Sequence, residues 1–359
     1  MRIRRRLPLA LAILTAARLL GSATNSVDDV VRTILDANRL QVSDANLARA
    51  LRKLNLNVRL DDRTAEELES EAPGPRSIAE LERLRDISHD LPPPAVLPWF
   101  ASPPGPTLEE LRDVLAAARR KALAYTDSLP DFLCTETVRR YESVTGRGGW
   151  SVKDTLTLQL TYFDHEENYK LTAMNGHKTV LTYDQVGGAS SKGEFGSMLY
   201  AVFTPESQTA FKWSNWTTLR KRPAYVLAFH IEARNSNYHL TVGRYGGGSV
   251  STTPGEHGFV YIDRETKDAI RVDSEADPLP GDFPLKGATR ILDYGSAEVG
   301  GRNFLLPLHA EVRMMPRDYN IETRNDVEFT EFRKFTGESS ISFGDSPDAK
   351  PAAAPPVKK

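Results

Sequence analysis

Between Ser26 and Asp90 apolar residues recur every three or four positions. Val27, Val30, Val31, Ile34 and Leu35 make one face of a helix, and Ser43 or Asp44 can cap a second bearing Leu47, Ala50, Leu51 and Leu54. Two more helical stretches, Thr64 to Glu71 and Ser77 to Ile87, flank Ala72-Pro73-Gly74-Pro75. The spacing predicts a small helical bundle. A longer helix follows from Thr107, a plausible N-cap with Glu110 three residues on, as in a capping box. Leu111, Val114, Leu115, Ala118, Ala122 and Leu123 form its apolar face, and Arg119, Arg120 and Lys121 suit the dipole at its C-terminal half.

Beyond that helix the period changes to two. Leu156, Leu158, Leu160 and Tyr162 point one way and Thr155, Thr157, Gln159 and Thr161 the other, as in a half-buried strand. Asn168 to Met174 and His177 to Tyr183 read as a hairpin around Asn175-Gly176, because a type I′ turn needs positive φ at both central residues. Further strands fit Thr209 to Thr217, Ala224 to Glu232, Asn237 to Val242, Gly258 to Asp263, Ala269 to Glu275, Thr289 to Val299, Phe304 to Met315, Ile321 to Phe335 and Ser339 to Phe343. Tyr225, Leu227, Phe229 and Ile231 share one face of their strand, as do Phe304, Leu306, Leu308 and Ala310 of theirs. Many strands after one long amphipathic helix indicate an α+β fold with an antiparallel sheet, not a βαβ parallel one.

Composition supports a globular core: 40% of the 359 residues are hydrophobic and 26% charged. Seven of the 23 prolines fall between Leu91 and Thr107 and four more after Gly344, marking a semi-rigid linker and a disordered tail. Arg2, Arg4, Arg5 and Arg6 precede an apolar run from Leu7 to Ala17, and Gly21-Ser22-Ala23 then supplies small residues, the pattern of a cleaved secretory signal. The alternative, an N-terminal core helix, lacks a partner pattern. The expected organisation is a signal peptide at 1–23, a helical module at 24–90, a Pro-rich linker at 91–106, an α+β domain at 107–344 and a tail at 345–359. The protein is then exported, periplasmic or secreted, with no membrane span after cleavage. The formal charge of −2 includes five arginines and no acid before residue 24, so the mature chain lies near −7. The single cysteine, Cys134, lies beside Phe132 and Leu133 and is expected to pack as a small hydrophobe.

Catalytic motifs are thin. The chain has no Gly-x-Ser-x-Gly, His-Glu-x-x-His, Walker loop or Cys-x-x-Cys. His165-Glu166-Glu167 begins like a zincin helix, but Tyr169 stands where the second histidine belongs. His230 and His239 could approach across adjacent strands beside Glu232, but metal ligation needs three or four converging ligands. No catalytic residue, metal or cofactor is expected. Asp263 and Asp268 bracket a charged turn, and Gly187-Gly188 and Gly246-Gly247-Gly248 read as loops. Alternation places Phe211 and Trp213 on one face of a strand and Trp216 on the other, where a carbohydrate could stack. Leu68 to Ala79 is loosely similar to a helix-hairpin-helix DNA-binding element, yet Ser26 to Asp90 holds ten Lys/Arg against fourteen Asp/Glu, which argues against a nucleic-acid partner.

The long helix, the strand meander and Gly258-Phe259-Val260-Tyr261-Ile262-Asp263-Arg264-Glu265-Thr266 followed by Ile270-Arg271-Val272 resemble the half-barrel of the bacterial lipoprotein-carrier (LolA-type) superfamily. Leu129 to Cys134, Gly193 to Leu199, Asp293-Tyr294-Gly295 and Phe304-Leu305-Leu306-Pro307 also resemble segments of uncharacterised exported bacterial proteins. The resemblance implies a curved antiparallel sheet over Thr107 to Phe343 whose concave apolar side, partly lidded by a helix, accepts an acyl chain or another hydrophobic group. Candidate liners are Leu156, Leu158, Leu160, Leu227, Phe229, Ile231, Phe304, Leu306 and Leu308. The expected function is non-catalytic binding of a lipid or other hydrophobic ligand in the cell envelope. The alternatives are an envelope protein-protein or glycan interaction module with a filled core and, less favoured, a hydrolase or metal-dependent enzyme.

Overall fold

Ser26 opens the first helix by a reciprocal exchange. Its hydroxyl accepts from the Asp29 backbone N–H, and the Asp29 carboxylate accepts from the Ser26 backbone N–H. Helix α1 (Val27–Arg39) buries Val27, Val30, Val31, Ile34 and Ala37. Leu35, expected on that face, is exposed, because at 3.6 residues per turn it lies about 100° from the centre of the stripe. Helices α2 (Asp44–Leu51), α3 (Asp62–Glu71) and α4 (Pro75–Ser88) complete a cluster with its own core, to which Leu47, Leu51, Leu60, Leu68, Leu81 and Leu84 belong. The residues described by the computed structural model are 24–72, 74–93, 104–144, 149–164, 166–186, 197–243, 249–317 and 320–335. The expected signal, most of the Pro-rich linker, both glycine-rich loops, His165, the strand at Ser339 to Phe343 and the tail lie outside them.

Asp44 does not cap its own helix. Its carboxylate accepts from the N–H groups of Arg76 (3.1 Å) and Ser77 (2.8 Å) and from the Ser77 hydroxyl (2.7 Å), so it closes the start of α4. Gly74 makes room for it, since a Cβ there would lie 2.9 Å from the Asp44 carboxyl carbon. A carboxylate thus sits where a helix-hairpin-helix element would present backbone N–H groups to a phosphate.

Thr107 caps α5 (Leu108–Leu123), accepting from the Glu110 N–H at 3.1 Å. The other half of the expected capping box is missing, because the Glu110 carboxylate instead accepts from the Tyr225 hydroxyl at 2.7 Å. A short α6 (Tyr125–Ser128) follows. The strands are β1 (Phe132–Val144), β2 (Ser151–Phe163), β3 (Glu166–Met174), β4 (His177–Lys178), β5 (Ala210–Leu219), β6 (Arg222–Ile231), β7 (Leu240–Gly243), β8 (Ser249–Thr252), β9 (Glu256–Asp263), β10 (Ala269–Ala276), β11 (Leu285–Val299), β12 (Arg302–Pro316) and β13 (Ile321–Lys334), with α7 (Ser197–Phe203) between β4 and β5. Asn175 and Gly176 make the β3–β4 turn with φ of 52° and 77°, the positive values expected of that dipeptide.

Eleven strands form one antiparallel sheet in the order β4-β3-β2-β1-β13-β12-β11-β10-β9-β6-β5, while β7 and β8 pair separately. The fold is α+β, and the sheet is curved and not closed. Bulges supply curvature, because an extra residue bends its strand and adds twist. Ser214 is the extra residue opposite β6, and Leu308 is the extra residue opposite β11. On one face, the inner one, Val138, Leu156, Leu158, Leu160, Leu227, Val260, Val272, Leu292, Leu306 and Val327 pack into one apolar cluster with α5, α6 and α7. The helical cluster α1–α4 lies against the other face.

Candidate functional site

The inner face is built by alternation and covered by short apolar stripes. Leu156, Leu158 and Leu160 of β2, Leu227, Phe229 and Ile231 of β6, and Leu306 of β12 are at most 3% exposed, all within the core under α5 and α7. Phe304 is half-buried against that core. Leu308 leaves the row: as the bulge residue it has no partner on β11 and leans on Gly295, whose added Cβ would lie 2.4 Å from a Leu308 methyl. Helix α5 contributes only Val114, Ala118 and Ala122 as buried residues, with Leu111 and Leu115 partly buried. Two polar ties hold it, Lys121 to Asp268 (2.7 Å) and Tyr225 to Glu110 (2.7 Å). Helix α7 adds Met198, Leu199, Val202 and Phe203. Where α5, α6 and α7 meet β10 and β12, a cavity of about 250 Å³ is lined by Ala122, Ala124, Tyr125, Leu199, Ala269 and Leu305 among others.

This face is not apolar throughout, as the resemblance implied. Towards one end, Arg140 of β1 forks onto Asp154 of β2 with two bonds of 2.6 Å, both side chains buried. Arg290 of β11 donates to Glu256 of β9 at 2.7 Å, and the Ser274 hydroxyl donates to the same carboxylate at 2.5 Å. Sequence reasoning missed all five. The signal was available: Asp154 shares the parity of Leu156, Leu158 and Leu160, and Arg290 that of Leu292, so each puts a charge on a buried row.

The outer face carries a chain of ionic contacts that periodicity could not announce. Arg271 of β10 donates twice to Asp293 of β11 (2.7 and 2.9 Å) and once to Glu66 of α3 (2.9 Å). His309 of β12 sits between carboxylates, its Nδ1 3.4 Å from Asp293 and its Nε2 2.9 Å from Asp326 of β13. Those two carboxylates raise its pKa to about 10 against the cost of its burial, and Arg271 holds Asp293 far below the usual range. The imidazole is therefore an imidazolium with both nitrogens engaged and offers no basic nitrogen to a substrate. Arg313 and Arg324 converge on Asp86 of α4 at 3.0 and 2.5 Å. A cleft of about 730 Å³ runs between α3, α4 and this face, with Trp150 and Tyr141 at its wall.

Other expected sites are rearranged. His230 faces His257 across β6 and β9, and both bond to Asp277 (3.0 and 2.8 Å). His239 lies outside that sheet and contacts Thr253 at 2.7 Å, because β7 pairs with β8 and not with β6. Among the described residues, no group of three or more His, Cys, Asp or Glu is placed to hold a metal ion. The bulge at Ser214 brings Trp213 and Trp216 to the same face, ring centroids 4.8 Å apart, where alternation had separated them. Trp216 donates to the Pro104 carbonyl at 3.0 Å and lies under the Arg264 guanidinium. Cys134 is buried, and burial pushes its thiol pKa well up.

No family model matches the chain, and no curated protein matches it. Among solved structures it is similar to a DUF1329 family protein from Desulfovibrio piger, with 9% identity and a TM-score of 0.26 over 64% of this chain and 94% of that one. A putative outer membrane lipoprotein-sorting protein domain from Vibrio parahaemolyticus matches with 12% identity and a TM-score of 0.28, covering 64% and 95%. The MucA/MucB complex of Pseudomonas aeruginosa matches with 11% identity and a TM-score of 0.18, covering 62% and 99%.

Proposed function

We propose that the protein is a non-catalytic binding protein of the cell envelope that takes a lipid or other hydrophobic ligand on the inner face of its sheet, beneath α5 and α7. The observation that carries this reading is the weak hold of α5 over a continuous apolar core. Val114, two alanines, two partly buried leucines (Leu111 and Leu115) and two polar ties keep the helix down. At about 25 cal/mol per Å² of apolar surface, so small a stripe costs only a few kcal/mol to lift. An apolar ligand would shield the uncovered surface from water in the helix's place. The 250 Å³ cavity at the junction of the three helices is the natural point of entry. Export rests on the expected signal sequence, and no helix among the described residues is long and apolar enough to cross a membrane.

The test is native mass spectrometry of protein expressed in bacteria, together with titration by an environment-sensitive apolar dye. A co-purified acyl-chain adduct, and dye binding reduced about tenfold by Ala122→Trp, are the expected results. A protein that is empty, and that leaves the dye dark, would support the second reading, an interaction module with a filled core. The near-complete burial of seven of the nine candidate liners favours that alternative.

A further inference from the structure

Three aromatic rings meet where β5 pairs with β6. The extra residue at Ser214 turns Trp216 onto the side of Trp213, and Trp216 lies opposite Tyr225 on the neighbouring strand. Ring centroids of Trp213 and Trp216, and of Trp216 and Tyr225, are each 4.8 Å apart, and those of Trp213 and Tyr225 are 6.4 Å apart. Arg264 stands 4.4 Å from the centre of the Trp216 ring and Lys267 5.1 Å from that of Tyr225, so two cations of the β9–β10 turn steady the cluster. Tyr225 is buried, whereas both tryptophans keep part of their surface in solvent.

Against this cluster lies the described end of the Pro-rich segment, Pro104-Gly105-Pro106. The Trp216 Nε1–H donates to the Pro104 carbonyl at 3.0 Å. The Gly105 backbone passes so close to Trp213 that an added Cβ would lie 2.7 Å from the indole Nε1. Proline rings hold φ at Pro104 and Pro106 near about −65°, and a residue ahead of a proline is kept extended. Thr107, next in line, has φ −64° and ψ 160°, close to polyproline II. A chain in that conformation makes no internal hydrogen bonds, leaves its carbonyls open and loses little entropy on binding, and aromatic-lined surfaces are its usual receptors. We propose that Trp213, Trp216 and Tyr225 form a polyproline-binding clamp whose occupant is the chain's own Pro104-Gly105-Pro106. The clamp reaches α5 through Tyr225, whose ring packs beside Trp216 while its hydroxyl donates to Glu110 in the first turn of the helix. Thr107, the residue after the bound segment, is the N-cap of the same turn. Occupancy of the clamp thus holds the start of α5 in order, whether or not a ligand enters beneath the helix.

Solvent exchange of the Trp216 indole N–H and of the Glu110 and Leu111 amides, which bond to Thr107, reads the clamp by NMR of the full chain. Gly105→Ala forces the segment away from the Trp213 indole and should speed all three about fivefold or more. Trp216→Phe keeps a ring without a donor and should speed the two amides likewise. Amides of β1 and β2 should keep their rates in both variants, which shows that the sheet is intact. The tethered segment acts at an effective concentration of about millimolar, so a synthetic Pro-Pro-Gly-Pro-Thr peptide should leave the native chain unchanged. At a concentration of several millimolar the same peptide should slow the Trp216 indole of the Gly105→Ala chain again, and an Ala-Ala-Gly-Ala-Thr peptide should not. Unchanged exchange in both variants would overturn the proposal. So would a proline peptide that restores no protection, or an alanine peptide that restores it equally.

Discussion

Arg140 and Asp154 show how much a single buried pair can weigh. Two parallel 2.6 Å bonds satisfy a fork that burial would otherwise leave costly. Arg140→Ala removes the cation and strands Asp154 in the core, so a loss of about 3–5 kcal/mol in urea unfolding followed by tryptophan fluorescence is expected. Arg140→Met combined with Asp154→Leu replaces the pair by apolar side chains of similar size and should come within about 1 kcal/mol of the native chain. A single variant as stable as the native protein would mean that the pair is solvated in solution. Asp44 makes the same point about position. One residue past the N-cap of α2, it acts about thirty residues downstream on Arg76 and Ser77, a role that local capping rules do not contain.

At the scale of elements, α5 is the most lightly attached. A hydrogen bond to a carboxylate contributes about 1.5–3 kcal/mol and an exposed ion pair about 0–1 kcal/mol. Tyr225→Phe with Lys121→Ala should then speed exchange of the α5 amides at least about tenfold without changing those of β2. Unchanged α5 protection would show that the apolar stripe alone holds the helix. Periodicity announced the existence and kind of most elements, and the reason lies in particular residues. Val27, Val30, Val31 and Ile34 carry a clear helical stripe, and Leu156, Leu158 and Leu160 a clear alternation. Bulges hid what alternation could not carry. One extra residue at Ser214 moves Trp216 to the face of Trp213, and one at Leu308 removes that leucine from its row. Strand order is equally silent in the sequence, which allows His230 to approach His239, whereas β6 pairs with β9 and sets it against His257. The outer ionic network joins strands and helices far apart in sequence, and no local pattern could assemble it.

For the whole molecule, two sets of titrations oppose each other across the outer face. Asp293 is held below its ordinary value near 3.8, so its contribution is present above that pH and lost in stronger acid. His309 is raised from 6.5 to about 10, so its contribution is full below pH 6.5 and disappears as pH climbs through 10. The carboxyls of Glu66, Glu69 and Asp273, raised to about 7 by desolvation, pull the same way as His309. Thermal stability should therefore be greatest at about pH 4 to 5, fall towards about pH 7 as the raised carboxyls ionise, and decline further as His309 loses its proton. Melting temperatures that rise steadily from pH 6 to 9 would contradict this assignment.

The pairing of β1 with β13 has a consequence in time. Thr137 lies opposite Glu328, so the middle of the sheet is joined only when nearly the whole described chain has been made. Until then β4-β3-β2-β1 and the run from β12 to β5 are two separate half-sheets, each with a bare central edge. Contacts so distant in sequence are slow to form, because the intervening loop must close before any pairing rewards it. A chain stopped before Ile321 would display both unfinished edges at once, with their backbone N–H and C=O groups open to any other nascent strand.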